Sequence, residues 1–313
     1  MTGKFEPQLA SGVLMIRPVR FESNPMTAES NKFQGRSRAT PQQQNAQAQV
    51  EFDALADQLR DAGIAVVVVN DTVEPHTPDS IFPNNWVSFH SDGRVVLYPM
   101  QAPNRRTERR LDIVERLGAE HGYVVRDIVD LSAHEQAGHF LEGTGSMVLD
   151  RANHMAYACL SSRTQLDPLG DFAQRMDYDV MTFDAVDRNG VPIYHTNVLM
   201  NVGEQVAVIC DAAIPNDKQR AAVLQRLRDT GHEVLSLSYD QLDGFAGNML
   251  ELRSGDGARV IAMSRQAYRS LDDRQLDRLQ ANGRIVCAAI DNIETSAGGS
   301  VRCMLAEIHL PKG

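Results

Sequence analysis

The chain has 313 residues, with 31 basic against 41 acidic side chains and a formal charge of −10. That length can bury a substantial core, and the acidic balance argues against nucleic acid or an anionic membrane surface as the main partner. The opening MTGKFEPQLASGVLM lacks a basic region followed by a long apolar stretch, and no apolar run approaches about 20 residues, so a soluble, cytoplasmic protein is expected. Its four cysteines, Cys159, Cys210, Cys287 and Cys303, form no C-x-x-C pair and are expected to be reduced thiols.

The segment from Arg36 to Val50, RSRATPQQQNAQAQV, is polar and Gln-rich. It reads as a loop before the first helix and as a candidate lid. A pattern then recurs along the chain, in which an amphipathic helix stops at a turn residue and a β-branched strand follows. FDALADQLRDAG passes into IAVVVVN at Gly63, and RRLDIVERLGAEHG into YVVRDIVDL at Gly122. LGDFAQRM passes into DYDVMTF near Asp177, DKQRAAVLQRLRDTG into HEVLSLS at Gly231, and DDRQLDRLQANG into RIVCAAI at Gly283. The glycines suit left-handed helix caps, and the strands carry β-favouring residues. The five joints are spaced by roughly 50 to 60 residues, in the range of structural repeats. Between them lie short strand-like runs, NWVSFH, RVVLYP, SMVLD, HMAYACL, VAVIC, NMLELR and RVIAM. Each unit therefore reads as two or three strands plus a helix, and the even spacing favours a repeat over an ordinary α/β sheet. No interdomain linker is visible, so residues 1–313 are expected to form one domain.

Several residues are candidates for chemistry, and each has an ordinary alternative. Cys159, Cys210 and Cys287 lie in apolar strand runs and read as core residues. Cys303 follows TSAGGSVR, where the glycine pair lets backbone approach a ligand and Arg302 could favour a thiolate; taken alone it also reads as a loop cysteine beside an edge strand. In PIYHTNVLMNV, read as extended, His195 and Asn197 share a face, as a catalytic pair or as satisfied core polar groups. Glu142, ahead of Gly-Thr-Gly, could hold a histidine tautomer or be a loop acid. Asp79, Asn84 and Asn85 cluster in a Pro-Asn-Asn turn beside the sole tryptophan, Trp86, and Arg163 follows a strand where it could grip a carboxylate or simply be solvated. His134-Glu135-x-x-x-His139 is one residue longer than the zinc-protease spacing, so no metal is expected there, and neither G-x-G-x-x-G nor a P-loop occurs.

As an ordered set these pieces resemble the guanidino-group-modifying superfamily of arginine deiminases, amidinotransferases and dimethylarginine dimethylaminohydrolases. The matching segments are D-x-x-F-P-N-N-W (79 to 86), A-P-N-R-R (102 to 106), L-E-G-T-G (141 to 145), L-S-S-R-T (160 to 164), Y-H-T-N (194 to 197) and G-G-S-V-R-C-M (298 to 304). The resemblance implies a five-bladed α/β propeller, or pentein, of ββαβ units, in agreement with the fivefold count. It implies Cys303 as nucleophile, His195 as acid/base and Glu142 as its orienting carboxylate. Asp79, Asn84, Asn85 and Asn197 would bind the reacting group and Arg163 the α-carboxylate of a small amino-acid substrate, with no cofactor. A homo-oligomer is compatible with this reading. Where relatives tend to carry aspartate, Asn85 and Asn197 stand here, which resembles the citrulline-utilisation hydrolases: an amide suits a neutral ureido group. The expected reaction is citrulline to ornithine, ammonia and carbon dioxide. The alternatives are arginine deiminase, dimethylargininase or amidinotransferase chemistry, and a non-catalytic amino-acid-binding protein on the same fold.

Overall fold

The computed structural model describes residues 6–28, 31–35 and 39–313. Five short sheets, each of three strands, organise the described residues. The first unit is β1 (Gly12–Arg17), the helix Pro41–Asp61 and β2 (Ala65–Asn70). The second is β3 (Val87–Phe89), β4 (Arg94–Leu97), the helix Leu111–His121 and β5 (Asp127–Asp130). The third is β6 (Val148–Asp150), β7 (Met155–Cys159), the helix Leu166–Met176 and β8 (Asp179–Phe183). The fourth is β9 (Met200–Val202), β10 (Val206–Ile209), the helix Asp217–Asp229 and β11 (Glu233–Ser236). The fifth is β12 (Leu250–Arg253), β13 (Arg259–Ser264), the helix Asp273–Asn282 and β14 (Arg284–Ala288), and β15 (Ala306–Glu307) follows.

Every sheet has the same wiring. The middle strand pairs antiparallel with one neighbour and parallel with the other, and the parallel link is made by a crossover helix. The first sheet lacks a preceding strand of its own. β15 supplies it from the far end of the chain, pairing antiparallel with β1 at Val13↔Glu307 and Leu14↔Ala306. The units are therefore ββαβ repeats closed head to tail, and the architecture is the five-bladed α/β propeller.

Burial explains why each strand reads as it does. β7 and β10 are buried along their whole length, so MAYAC and VAVI show no polar alternation. The strands after the helices, such as β5 and β11, are largely exposed. The helices bury one stripe: Ala48, Phe52, Leu55, Ala56 and Leu59 of Pro41–Asp61 recur at helical spacing.

Three local expectations need correction. Residues 41 to 50 are not a loop; they form the first turns of Pro41–Asp61, started by a capping box between Thr40 and Gln43. Arg36 to Arg38 of that segment lie outside the described residues. Gly283 does not cap its helix in the left-handed region, since its φ is −177°, whereas Gly122 does, at φ 67°. His195 and Asn197 do not share a strand: His195 is extended at the cap of a short helix, Thr196–Leu199, and β9 begins only at Met200.

Phe172 is fully buried and packs against the rings of Tyr98 and Tyr178, with centroids 6.1 and 5.4 Å away. Phe172→Ala should destabilise by about 3–5 kcal/mol, read as a lower urea midpoint at unchanged m-value.

Candidate active site

The repeat places the same kind of segment at one end of each blade. A short turn or helix immediately precedes β3, β6, β9 and β15, namely Pro83–Asn85, Gly143–Ser146, Thr196–Leu199 and Val301–Met304. Residues 244 to 249 precede β12 in the same way. The five segments carry Asn84 and Asn85, Glu142 at the cap of Gly143–Ser146, His195 and Asn197, Asn248, and Cys303. Residues more than 200 positions apart in sequence thus meet at one end of the propeller.

Direct bonds tie the segments together. Asn84 Nδ2 donates to Thr144 Oγ1 at 3.3 Å, Asn85 Nδ2 to Asn84 Oδ1 at 3.0 Å, and Asn248 Nδ2 to the Asn197 carbonyl at 2.9 Å. Packing is close enough to demand glycine. A Cβ on Gly145 would lie 2.5 Å from Asn85 Nδ2 and 2.8 Å from His195 Nδ1.

Glu142 is the electrostatic hub. It is fully buried, and its Oε2 lies 2.9 Å from His195 Nε2, 3.4 Å from Arg163 and 3.7 Å from Arg105, while Oε1 accepts the Gln101 N–H at 3.1 Å. Burial alone would push its carboxyl up, but Arg163, His195 and Arg105 together hold it well below the usual carboxylate range. Burial dominates at His195 and pulls its imidazole down to about 4 despite the Glu142 bond. The resting pair at neutral pH is therefore an ionised Glu142 and a neutral His195 that donates from Nε2. Nδ1 is the nitrogen left to exchange a proton with the cavity.

Cys303 is 4% exposed, and its sulfur lies 3.5 Å from Asn197 Nδ2 and 3.3 Å from Asn248 Nδ2. Arg302 does not serve it: that guanidinium is turned to the Leu305 carbonyl and to Glu307 at 2.6 Å. Cys159 and Cys210 are buried core thiols pushed up to about 12 and about 11 by burial, and Cys287 is half-buried.

Cys303 and His195 line one small cavity together with Asp79, Asn85, Arg105, Arg163 and Tyr194. Its volume is about 10 Å³, room for roughly one water. Asn24, Thr27 and Asn31 cover it: Asn24 Nδ2 donates to Asp79 Oδ2 at 2.7 Å, Arg163 to the Thr27 carbonyl at 3.3 Å, and Asn31 Nδ2 to the Ala297 carbonyl at 2.9 Å. An amino-acid-sized substrate enters only if this cover shifts. The cover lies earlier in the chain than the Gln-rich segment expected to act as a lid.

The sequence-derived set largely converges here. Asn84 bonds Thr144 behind Asn85 and is absent from the cavity wall, so it supports rather than lines. Trp86 belongs to the core, 1% exposed. His134 and His139 pair with different aspartates, Asp171 and Asp167. Three residues were missed. Asn248 was hidden inside a strand-like run, though it stands just before β12 as the other candidates stand before their strands. Arg105 lies in the A-P-N-R-R stretch and is 2% exposed; it contacts Glu108 at 2.9 Å, Asn85 Oδ1 at 3.0 Å and Asp79 at 3.6 Å. Its partner Glu108 is buried in turn and pushed up to about 8, mainly by burial. Asp79, Glu108 and Glu142 thus all lie within 3.7 Å of the Arg105 guanidinium.

A pentein propeller with a cysteine, a histidine and a buried carboxylate gathered at one blade end defines the guanidino-group-modifying superfamily. Within it, this chain belongs to the family described as N,N dimethylarginine dimethylhydrolase, eukaryotic, whose model matches residues 17–310. The description of that family names a hydrolase. Comparison with curated proteins finds no match. Among solved structures, apo ArgZ, an arginine dihydrolase of the cyanobacterial ornithine-ammonia cycle, is similar at TM-score 0.70 and 18% identity over 96% of this chain. The match spans 41% of that longer protein. The N-terminal domain of ArgZ, a Cys-to-Ser mutant bound to substrate, is similar at TM-score 0.67 and 18% identity, over 96% of this chain and 99% of that one. A dimethylarginine dimethylaminohydrolase variant in adduct with S-methyl-L-thiocitrulline gives TM-score 0.64 and 11% identity, over 95% and 99%. At these identities the likeness shows the fold alone. Among the described residues no helix is long and apolar enough to cross a membrane.

Gly145→Ala should leave the fold in place but displace His195. A misplacement of about 1 Å can cost about 100-fold in rate, so turnover should fall by that order while far-ultraviolet circular dichroism is unchanged.

Proposed function

We propose that this protein hydrolyses the ureido group of citrulline, with Cys303 as nucleophile, His195 as acid/base and Glu142 as the group that orients the imidazole. The observation that carries this reading is the setting of the sulfur. Two protein amides, Asn197 and Asn248, point at Cys303 Sγ. These N–H donors, with Asn248 Oδ1 also 3.7 Å from the sulfur, come from the protein and not from a cationic substrate. Among the described residues Asp79 Oδ1, in the cavity wall, is buried with no hydrogen-bond partner and suits an N–H group of a ureide.

The steps follow from the resting protonation states. Neutral His195 takes the Cys303 proton, and the thiolate adds to the ureido carbon. Collapse breaks the bond to the δ-nitrogen, which leaves as ornithine with the proton held by His195. The S-carbamoyl enzyme is then attacked by water, whose proton His195 accepts. The carbamate released decomposes to ammonia and carbon dioxide, and the proton returns to the thiolate. Arg163, which lines the cavity and stacks over Tyr194 at 4.9 Å, is placed for the α-carboxylate.

A second reading, an arginine-type substrate, is favoured by a different observation. Among the described residues, three buried carboxylates, Asp79, Glu108 and Glu142, face two guanidinium groups, Arg105 and Arg163. Burial pushes Glu108 up while Arg105, bonded to both of its oxygens at 2.9 Å, pulls it down, so further positive charge nearby would stabilise its carboxylate. The names of the family and of ArgZ point the same way.

The deciding experiment measures kcat/KM for ornithine, citrulline and ammonia release from citrulline, arginine and dimethylarginine. Citrulline should be the best substrate, and a preference of about tenfold or more (about 1.4 kcal/mol) for arginine or dimethylarginine refutes it. Cys303→Ser should lose nearly all turnover on every substrate, because a hydroxyl is a far weaker nucleophile at neutral pH.

A further inference from the structure

One buried acid beside the site has no part in the steps above. Glu294 belongs to the helix Asp291–Ala297 and is 2% exposed. The helix stops at Gly298, left-handed at φ 64°, and the chain passes through Gly299 and Ser300 into the turn Val301–Met304 that bears Cys303. Ser300 Oγ donates to Glu294 Oε1 at 2.6 Å, and the Cys303 N–H donates to the Ser300 carbonyl at 3.0 Å. The intervening backbone is confined: a Cβ on Gly298 would lie 2.4 Å from the Gln34 nitrogen, and one on Gly299 2.6 Å from the Phe82 ring.

We propose that Glu294 is a positioning residue for the nucleophile: its carboxyl fixes Ser300, and Ser300 fixes the turn that presents Cys303 to the cavity. This rests on Cys303 being the nucleophile. The groups around the carboxyl are neutral or acidic. Ser264, at the end of β13, bonds it. Asp291 lies on its own helix, ion-paired to Arg265. Glu51, from Pro41–Asp61, accepts the Asn292 and Ile293 N–H groups at 3.0 Å each. Burial first, then Asp291 and Glu51, push the Glu294 carboxyl up to about 7 against the pull of Ser264 and Ser300. The folded form therefore keeps a proton that the unfolded chain, near 4.5, has released. Its contribution to stability is complete below that unfolded value and is lost as pH rises through the folded one. Ionisation sets a buried charge beside Glu51 and Asp291 that the Ser264 and Ser300 bonds only partly offset, and it loosens the turn.

The test compares Glu294→Gln and Glu294→Ala with the wild type, all as full chains. The readouts are kcat and KM on the preferred substrate, the rate of Cys303 alkylation by iodoacetamide, and Tm, the last two from about pH 5 to about pH 9. Glu294→Ala should lower kcat by about tenfold or more with KM changed by less than about threefold, the mark of a misaimed nucleophile. Glu294→Gln, whose amide oxygen still accepts from Ser300, should stay within about threefold of wild type below neutral pH. The wild-type alkylation and Tm profiles should inflect near the Glu294 value, and the Glu294→Gln profiles should not. The proposal is overturned if that inflection persists in Glu294→Gln, or if Glu294→Ala matches wild-type kcat and alkylation per folded molecule. If Glu294→Ala does not fold, the Glu294→Gln profiles decide. Full turnover in Cys303→Ser would defeat the nucleophile reading itself; an inactive Cys303→Ser with an unmoved Glu294→Gln profile defeats this proposal alone.

Discussion

The buried carboxylate of Glu142 is the group on which the site depends. It binds His195, Arg163, Arg105 and the Gln101 backbone, groups from the second, third and fourth blades and their connections. A buried charge without partners is costly, and removing one member of such a cluster leaves the others uncompensated. The two arginines make an ionised Glu142 tolerable, and the ionised Glu142 fixes the ring orientation of His195. Catalytic geometry and electrostatic satisfaction are thus one arrangement.

The propeller explains how that arrangement is reached. Each blade brings a short turn to the same end just before its first strand, and five such turns crowd together there. Crowding selects side-chain size: glycine at 145, where a Cβ would strike both Asn85 and His195, and glycine at 247, where one would lie 2.4 Å from the Val198 carbonyl. Chemistry is then distributed among the remaining positions. The turn at 195 to 199 supplies both the imidazole and one amide to the sulfur, that at 244 to 249 the second amide, that at 301 to 304 the sulfur and that at 142 to 146 the carboxylate. The pairing of β15 with β1 sets Cys303 into the ring, since the turn that bears it leads directly into the strand that completes the first sheet.

The site holds two opposed electrostatic features. Asn197 and Asn248 bring amide donors to the sulfur, and Asp79, Glu108 and Glu142 crowd around Arg105. Both features are buried, so neither is diluted by solvent screening.

Periodicity was legible in the sequence because it is local: helix stripes, cap residues and β-branched runs each report on their own few neighbours. The five joints gave the blade count, and the order of Asp79, Glu142, Arg163, His195 and Cys303 gave most of the site through its resemblance to a known superfamily. Residues 41 to 50 were misread because Gln and Ala are good helix formers whose polar composition also suits a loop; the Thr40–Gln43 capping box was the overlooked signal. Tertiary structure alone decided what depends on residues far apart in sequence. It set Arg302 toward Glu307 and away from the thiol, placed Asn248 against the sulfur, and gathered Glu108 and Glu142 around Arg105. Side-chain direction and burial at these positions follow from how five blades close on one another. That closure is a property of the whole ring, and no local stretch of sequence contains it.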